Sequence, residues 1–324
     1  MNIAITGATG YIGSNLVNQL ALHHRVTVLI RKKGTTPKFP KNVRTVIVNF
    51  NNLPDIRKSL RGIEVVFHLA GALPNLPLSN KEYYETNSFL SERVYKASLL
   101  EPKMKHFVLC STAFVTWKNN HVSNEDTSPR PNTIYEKSKL LGESLVKSLS
   151  KNGNLPVTIV RPGFVYGPKN VGLLSLCKAI KMKKFFYIGS GNHKFELTHI
   201  DDLTRFFLLI INNPKSFNET FLVSARRPLT FMDITKIISK KLNVHLPNIH
   251  IPHFIFSVVL FPVIKLADNL KLPFPISLET YKILTLSRSF NVTKSSRILD
   301  YRDKVNHRLA ITQLIQWYRQ KSFV

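Results

Sequence analysis

Acidic residues are scarce in this chain: 19 Asp and Glu stand against 46 Lys and Arg over 324 residues, a formal net charge of +27. The lysines are scattered through nearly every expected element rather than massed in one tail. The charge therefore does not single out a nucleic-acid binder, and nucleic acid is not expected as a partner; an anionic cofactor, an anionic substrate or a membrane surface remains open. Cysteine is almost missing. Cys110 and Cys177 lie far apart among apolar neighbours, which excludes a disulfide framework and a cysteine-based zinc site and fits a reducing compartment. No apolar run approaches the roughly 20 residues that span a bilayer, and there is no internal repeat or low-complexity tract. A first strand starting at residue 2 leaves no room for a leader, so the expected address is the cytoplasm, with peripheral membrane contact as the alternative. A hydrophobic content of 44% supports one large α/β core and a smaller lobe.

What is present starts at once. Asn2-Ile3-Ala4-Ile5-Thr6-Gly7-Ala8-Thr9-Gly10-Tyr11-Ile12-Gly13 is a short apolar strand running into three glycines spaced three apart. Gly7 permits a tight turn, Gly10 lets backbone approach a pyrophosphate, and Gly13 lets the next helix lie close on the sheet. Phosphates are expected on that helix's N-terminus, where free N–H groups and the macrodipole favour anions. Ile12, Leu16 and Leu20 continue at helical spacing.

Further strands are expected at 25–30, 44–48, 65–69, 106–110 and 157–160, separated by helical patterns that include 81–99 and 132–150, with another strand at 219–223. Strands alternating with helices imply a doubly wound parallel sheet, the Rossmann architecture. Residues 1–162, with 198–224 returning to the sheet, form the expected dinucleotide-binding domain. Residues 163–197 and 225–324, richer in proline and irregular apolar runs, form a smaller substrate lobe, with the cleft between as the site.

Strand two ends in Arg31-Lys32-Lys33, eighteen residues past Gly13. An acidic residue there holds the ribose 2′-hydroxyl of NAD, whereas arginine suits a 2′-phosphate, so NADP(H) is expected, with NAD(H) as the alternative. Tyr135 and Lys139 fall one turn apart on one helix face. A phenol titrates near 10, and a neighbouring cation stabilises phenolate and brings it toward the working range of an acid/base. Twenty-three residues upstream of Tyr135, Ser111-Thr112 put hydroxyls at the carboxyl end of strand five, where open α/β sheets bind ligands.

In this order the motifs resemble the extended short-chain dehydrogenase/reductase family, also called the NAD-dependent epimerase/dehydratase family. The resemblance covers almost the whole chain. It takes in residues 6–13, His68-Leu69-Ala70-Gly71, Asn87, Ser111-Thr112, Tyr135 to Lys139, Arg161-Pro162-Gly163-Phe164-Val165-Tyr166-Gly167-Pro168, His199-Ile200-Asp201-Asp202-Leu203 and Trp317-Tyr318. It implies a dehydrogenase, reductase, epimerase or dehydratase. Tyr135 is then the catalytic acid/base, Lys139 lowers its pKa and bonds the nicotinamide ribose, and Thr112 holds the substrate oxygen, with Ser111 as the alternative. Cofactor contacts fall on Gly7, Thr9, Gly10, Tyr11, Ile12, Gly13, Arg31, Asn49, Phe50, Leu69, Ala70, Gly71, Asn87, Tyr135, Lys139, Pro162 and Gly163. Asn49 stands where the family usually has Asp beside the adenine, and its amide carbonyl still accepts from an amino group. A homodimer is implied, because the helix bearing Tyr135 commonly pairs between subunits.

His199, Asp201 and Asp202 are expected to brace the lobes, and no metal is expected. Relatives acting on nucleotide sugars usually carry a diphosphate-binding arginine just before this stretch; Phe195-Glu196-Leu197 stands here instead, with Lys194, Arg226 and Arg227 as possible substitutes. Residues 249–264 and 270–276 are strongly apolar and broken by prolines, which fits core, the wall of an apolar pocket or a lipid-facing patch. The expected function is hydride transfer to or from a hydroxyl or keto carbon of an apolar, lipid-, steroid- or ketone-like small molecule. A nucleotide-sugar epimerase or dehydratase retaining its cofactor is the alternative. A non-enzymatic nucleotide sensor is disfavoured by the presence of Thr112, Tyr135 and Lys139 together.

Overall fold

The computed structural model describes residues 1–31, 38–74, 76–116, 121–255, 258, 261–270 and 289–324. Lys32, Lys33 and most of the apolar stretch at 270–276 lie outside them, as do parts of 249–264.

Alternating apolar and β-branched side chains build a seven-stranded, wholly parallel sheet: β1 (Asn2–Thr6), β2 (Arg25–Ile30), β3 (Arg44–Ile47), β4 (Val65–His68), β5 (His106–Cys110), β6 (Val157–Pro162) and β7 (Thr220–Val223), in the order β7-β6-β5-β4-β1-β2-β3. Register pairs Ile5 with Val28 on one side and Phe67 on the other. The strand order reverses at β1, and the crevice beyond the carboxyl ends of β1 and β4 is where such sheets take ligands. Successive residues on a strand face opposite ways, so the strands supply two cores. Ile3, Ile5, Val28, Phe67 and Val160 pack with Leu16 and Leu20 of the Tyr11–Leu20 helix and Phe206 of the Ile200–Leu209 helix. Ala4, Leu29, Val66, Phe107 and Ile159 pack on the other face with Val94 and Tyr95 of the Leu90–Leu99 helix. Each fully buried Leu, Ile or Phe contributes about 1.5–3 kcal/mol relative to exposure.

A third apolar cluster gathers Leu173, Phe185, Tyr187, Phe231, Ile311 and Leu314. The helices Leu174–Lys181, Phe231–Leu242 and His307–Gln320 enclose it. Asp202, on the Ile200–Leu209 helix that packs on the sheet, ties the segment before the C-terminal helix to that side, its carboxylate accepting from the N–H groups of Lys304 (3.0 Å) and Val305 (3.2 Å). His199 caps the Ile200–Leu209 helix by accepting from Asp201 N–H at 3.3 Å. Both residues brace the fold, and among the described residues no cluster fit for a metal ion exists.

Two expected elements differ in detail. The helix expected over 81–99 contains a π turn at Glu85–Phe89 between helical segments Asn80–Tyr84 and Leu90–Leu99. The helix carrying Tyr135 begins at Ile134 rather than 132, because Thr133 and Glu136 close a capping box, and a capping residue itself stays extended.

Candidate active site

One cavity of about 1940 Å³ runs along the carboxyl ends of the strands into the third cluster. A single drug-sized ligand fills roughly 300–1000 Å³, so a dinucleotide and a second molecule fit together.

The glycine turn forms its floor. Gly7 has φ +72°, and a Cβ there would stand 2.5 Å from Ala70 N; an L side chain is excluded by conformation and by contact. A Cβ on Gly13 would overlap the Gly7 carbonyl, so the helix lies as close to the turn as backbone allows. The Tyr11–Leu20 helix begins at Gly10 with no side-chain cap and no acidic residue in its first turn. Its N–H groups thus face the cavity unneutralised, lined by Thr9, Gly10, Tyr11, Ile12 and Gly13. The donor set fits a pyrophosphate.

At the end where adenosine is expected the cavity is lined by Arg31, Asn49 and Phe50. The Asn49 side-chain carbonyl accepts from Asn51 N–H at 3.1 Å, which leaves a second lone pair for an adenine amino group. Two lining residues were missed from sequence. Asp55 accepts from Asn49 N–H at 2.6 Å, and Arg93 Nε donates to the Phe50 carbonyl at 2.9 Å while pairing with Glu85. Asp55 is local, the first-turn acid of the helix that Asn52 caps, whereas only the fold brings Arg93 to Phe50 across 43 residues.

Leu69, Ala70 and Gly71 continue the wall to the residues expected to be catalytic, and Ser111, Thr112, Tyr135, Pro162 and Gly163 all line the cavity. Thr112 Oγ1 accepts from Phe114 N–H at 3.4 Å, keeping its own proton for donation. The Ser111 hydroxyl is buried and meets no hydrogen-bond partner among the described residues. A buried unpaired hydroxyl costs about 1–3 kcal/mol, and a substrate oxygen would satisfy it. Lys139 and Asn87 meet at Gly71, which lines the cavity; Asn87 is buried and Lys139 half-buried. Lys139 Nζ donates to the Cys110 carbonyl at 3.2 Å, and a Cβ on Gly71 would stand 2.6 Å from it. Burial lowers the Lys139 pKa, and the charge of Glu143 one turn on opposes this. Asn87, held in the π turn, accepts from Ala72 N–H at 2.8 Å and donates to Ser138 Oγ at 2.9 Å. It thereby fastens the turn after β4 to the helix carrying Tyr135 and Lys139.

The far end is aromatic: Phe164, Phe185, Phe186, Phe195 and Phe231 line it. Lys184 is the cation there among the described residues. Neither Lys194, Arg226 nor Arg227 joins the lining, and Arg226 is engaged with Asp303 at 2.6 Å. Glu196, also missed as a site residue, is buried at the border of the two ends. Its carboxylate accepts from Ser224 Oγ (2.8 Å) and Phe290 N–H (3.0 Å). Burial pushes its pKa up to about 7, against the opposing hydrogen bonds. A carboxyl whose folded pKa lies above the unfolded value of 4.5 stabilises the fold fully below that value and loses the contribution as pH rises through about 7. Wild-type stability should therefore fall by about 3 kcal/mol between pH 5 and 8 relative to Glu196→Gln. Urea unfolding of both proteins across that range measures the difference, and parallel curves would refute the assignment.

The model of the NAD dependent epimerase/dehydratase family matches residues 3–224. An uncharacterised UDP-glucose epimerase, YtcB, of Bacillus subtilis (strain 168) is 28% identical over 258 residues, covering 74% of this chain and 81% of that protein. The human decarboxylating sterol-4-alpha-carboxylate 3-dehydrogenase is 24% identical over 285 residues, 81% of this chain and 75% of the relative. In three dimensions the UDP-glucuronic acid 4-epimerase of Bacillus cereus, solved with UDP-glucuronic acid and NAD, superposes with a TM-score of 0.78 at 21% identity, over 99% of this chain and all of the other. This last likeness concerns the fold.

Proposed function

The chain belongs to the NAD dependent epimerase/dehydratase family, and from that premise we propose that it is an NADP(H)-dependent dehydrogenase or reductase acting on a hydroxyl or keto carbon of an apolar small molecule. One observation carries the choice of substrate. The end of the cavity beyond Pro162 and Gly163 is walled by five phenylalanines, with Lys184 as its cation among the described residues. A nucleotide diphosphate needs several cationic or amide donors, whereas a fused-ring or chain substrate needs area to bury. Residues 163–197 and 225–324 supply that lobe, and residues 1–162 with 198–224 supply the cofactor side.

When bound, the nicotinamide cofactor gives or takes hydride at the carbon bearing the substrate oxygen. Tyr135 gives that oxygen its proton in reduction and takes it in oxidation, while Thr112 and Ser111 hold the oxygen by donating hydrogen bonds. Lys139, half-buried and one turn from Tyr135, favours the phenolate by its charge. A retained cofactor and interconversion of sugar nucleotides would instead assign the site to the epimerase class, which the YtcB relative represents.

NADPH consumption with apolar ketones, set against UDP-glucose, tests this reading. Oxidation of cofactor with ketones alone is expected; conversion of UDP-glucose without net cofactor change would overturn it. The cofactor preference rests on Arg31. Arg31→Asp should weaken NADPH binding roughly tenfold to a hundredfold and leave NADH binding equal or tighter, since it removes a charge-assisted contact to the 2′-phosphate. Fluorescence titration with both cofactors measures it, and equal losses would refute it.

A further inference from the structure

We infer that the substrate lobe carries a docking face for an anionic lipid surface, formed by the turn His253–Ile255, Val258 and the helix Phe261–Asn269. The inference goes beyond the catalytic reading and does not depend on it.

The face is apolar and open to water. Phe254 is 69% exposed, Val258 72% and Leu266 59%, and Ile255, Val263 and Leu270 are each more than a third exposed. Val263, Leu266 and Leu270 follow the spacing that puts side chains on one side of a helix, while Ile264 between them is fully buried. The helix thus buries one apolar side and offers another to solvent, where a water-facing helix carries polar groups. So many large apolar side chains exposed together mark an interaction site.

Charge selects the partner. No acidic residue occurs in residues 144–195 or 234–267, although the two stretches carry Lys178, Lys181, Lys183, Lys184 and Lys265 among other cations. These five lysines are all exposed. Lys183 and Lys184 lead into the strand Tyr187–Ile188, which pairs in parallel with His250–Ile251, and Tyr187 N–H donates to the Ile249 carbonyl at 2.8 Å. Lys183 and Lys184 precede this parallel ladder and Phe254 follows it, so they lie toward its two ends, while Lys265 stands on the helix of the face itself. A face whose own helix carries the exposed Lys265 and has Asp268 as its one acid, on a lobe rich in exposed lysines, matches an interface of acyl chains under anionic headgroups. No helix among the described residues is long and apolar enough to cross a membrane, so the contact is one of lying on the surface. Lys184 and Phe186 also line the catalytic cavity, which puts the aromatic end of that cavity on the lobe that meets the lipid.

The full chain is pelleted with vesicles of phosphatidylcholine alone and of phosphatidylcholine mixed with phosphatidylserine. The expected result is binding to the mixed vesicles, weakened by salt, and little binding to phosphatidylcholine alone. Phe254→Glu combined with Val258→Glu should reduce binding tenfold or more while NADPH binding persists, which shows that the variant is folded. Phe254→Trp, a conservative change, should shift its emission to the blue on mixed vesicles. Absence of pelleting, pelleting untouched by the double variant, or unchanged tryptophan emission at saturating lipid would each overturn the inference. So would a wild-type dimer that the double variant dissociates in the absence of lipid binding, since a second copy would then be what covers the face.

Discussion

Tyr135→Phe is expected to lower kcat by a factor of about 10² to 10⁴, the range supplied by a positioned proton donor, with NADPH affinity unchanged. The phenyl ring fills the same space at the start of the Ile134–Lys151 helix, and the capping box of Thr133 and Glu136 that fixes this start is untouched. What is lost is the only group proposed to exchange a proton with the substrate oxygen. Thr112 and Ser111 keep that oxygen in place but do not replace a titrating phenol. Single-turnover kinetics in the presence of saturating NADPH, with a thermal-shift control for cofactor binding, read the two effects separately. Unchanged turnover would remove Tyr135 from the chemistry; loss of NADPH binding would make its role structural.

Glu143→Ala is expected to destabilise the protein by about 3–5 kcal/mol, the cost of leaving a buried charge without its partner. Arg161 and Glu143 are both almost completely buried. Arg161 Nε donates to Glu143 Oε1 at 2.9 Å and Nη2 donates to Oε2 at 2.5 Å. Nη1 has no partner among the described residues, so nothing is at hand to take over when the carboxylate goes. Against a total stability of about 5–15 kcal/mol the loss is large. The pair also lies one turn beyond Lys139, whose charge Glu143 supports. Replacing both residues by methionine should recover most of the stability, because a well-packed apolar pair avoids the desolvation cost. Urea unfolding of the single and double variants measures this. A loss below about 1 kcal/mol in the single variant would mean that water reaches Arg161.

The sheet and the cofactor side of the site were legible because they are written in short local patterns. Residues 2–13 hold strand, turn and helix start in one run, and strand boundaries followed β-branched clusters to within two residues. The π turn at Glu85–Phe89 had no local signal. It is held by contacts across fifty residues, where Asn87 and Ser88 meet Ser138 and Gly142 lets the two helices touch: a Cβ there would stand 2.5 Å from the Asn87 carbonyl. The Arg161–Glu143 pair was half legible. An arginine inside the otherwise apolar run of β6 requires a buried anion, but the sequence does not say which of the 19 acids supplies it. Glu196 stands in the stretch where nucleotide-sugar relatives usually carry an arginine, and its burial comes from strands joined only in the folded lobe. Asn87 and Lys139, expected on the cofactor, come together at Gly71 with Asn87 buried and Lys139 half-buried, since a residue pattern fixes which groups converge but not their depth.

The central claim is net hydride transfer to an apolar substrate. It is met most directly by incubating the protein with NADPH deuterated at nicotinamide C4 and a panel of apolar ketones, and reading the products by mass spectrometry. One deuterium on the new carbinol carbon, with one cofactor oxidised per alcohol formed, is the predicted result. Unlabelled products with the cofactor pool unchanged, together with turnover of a sugar nucleotide, would contradict it.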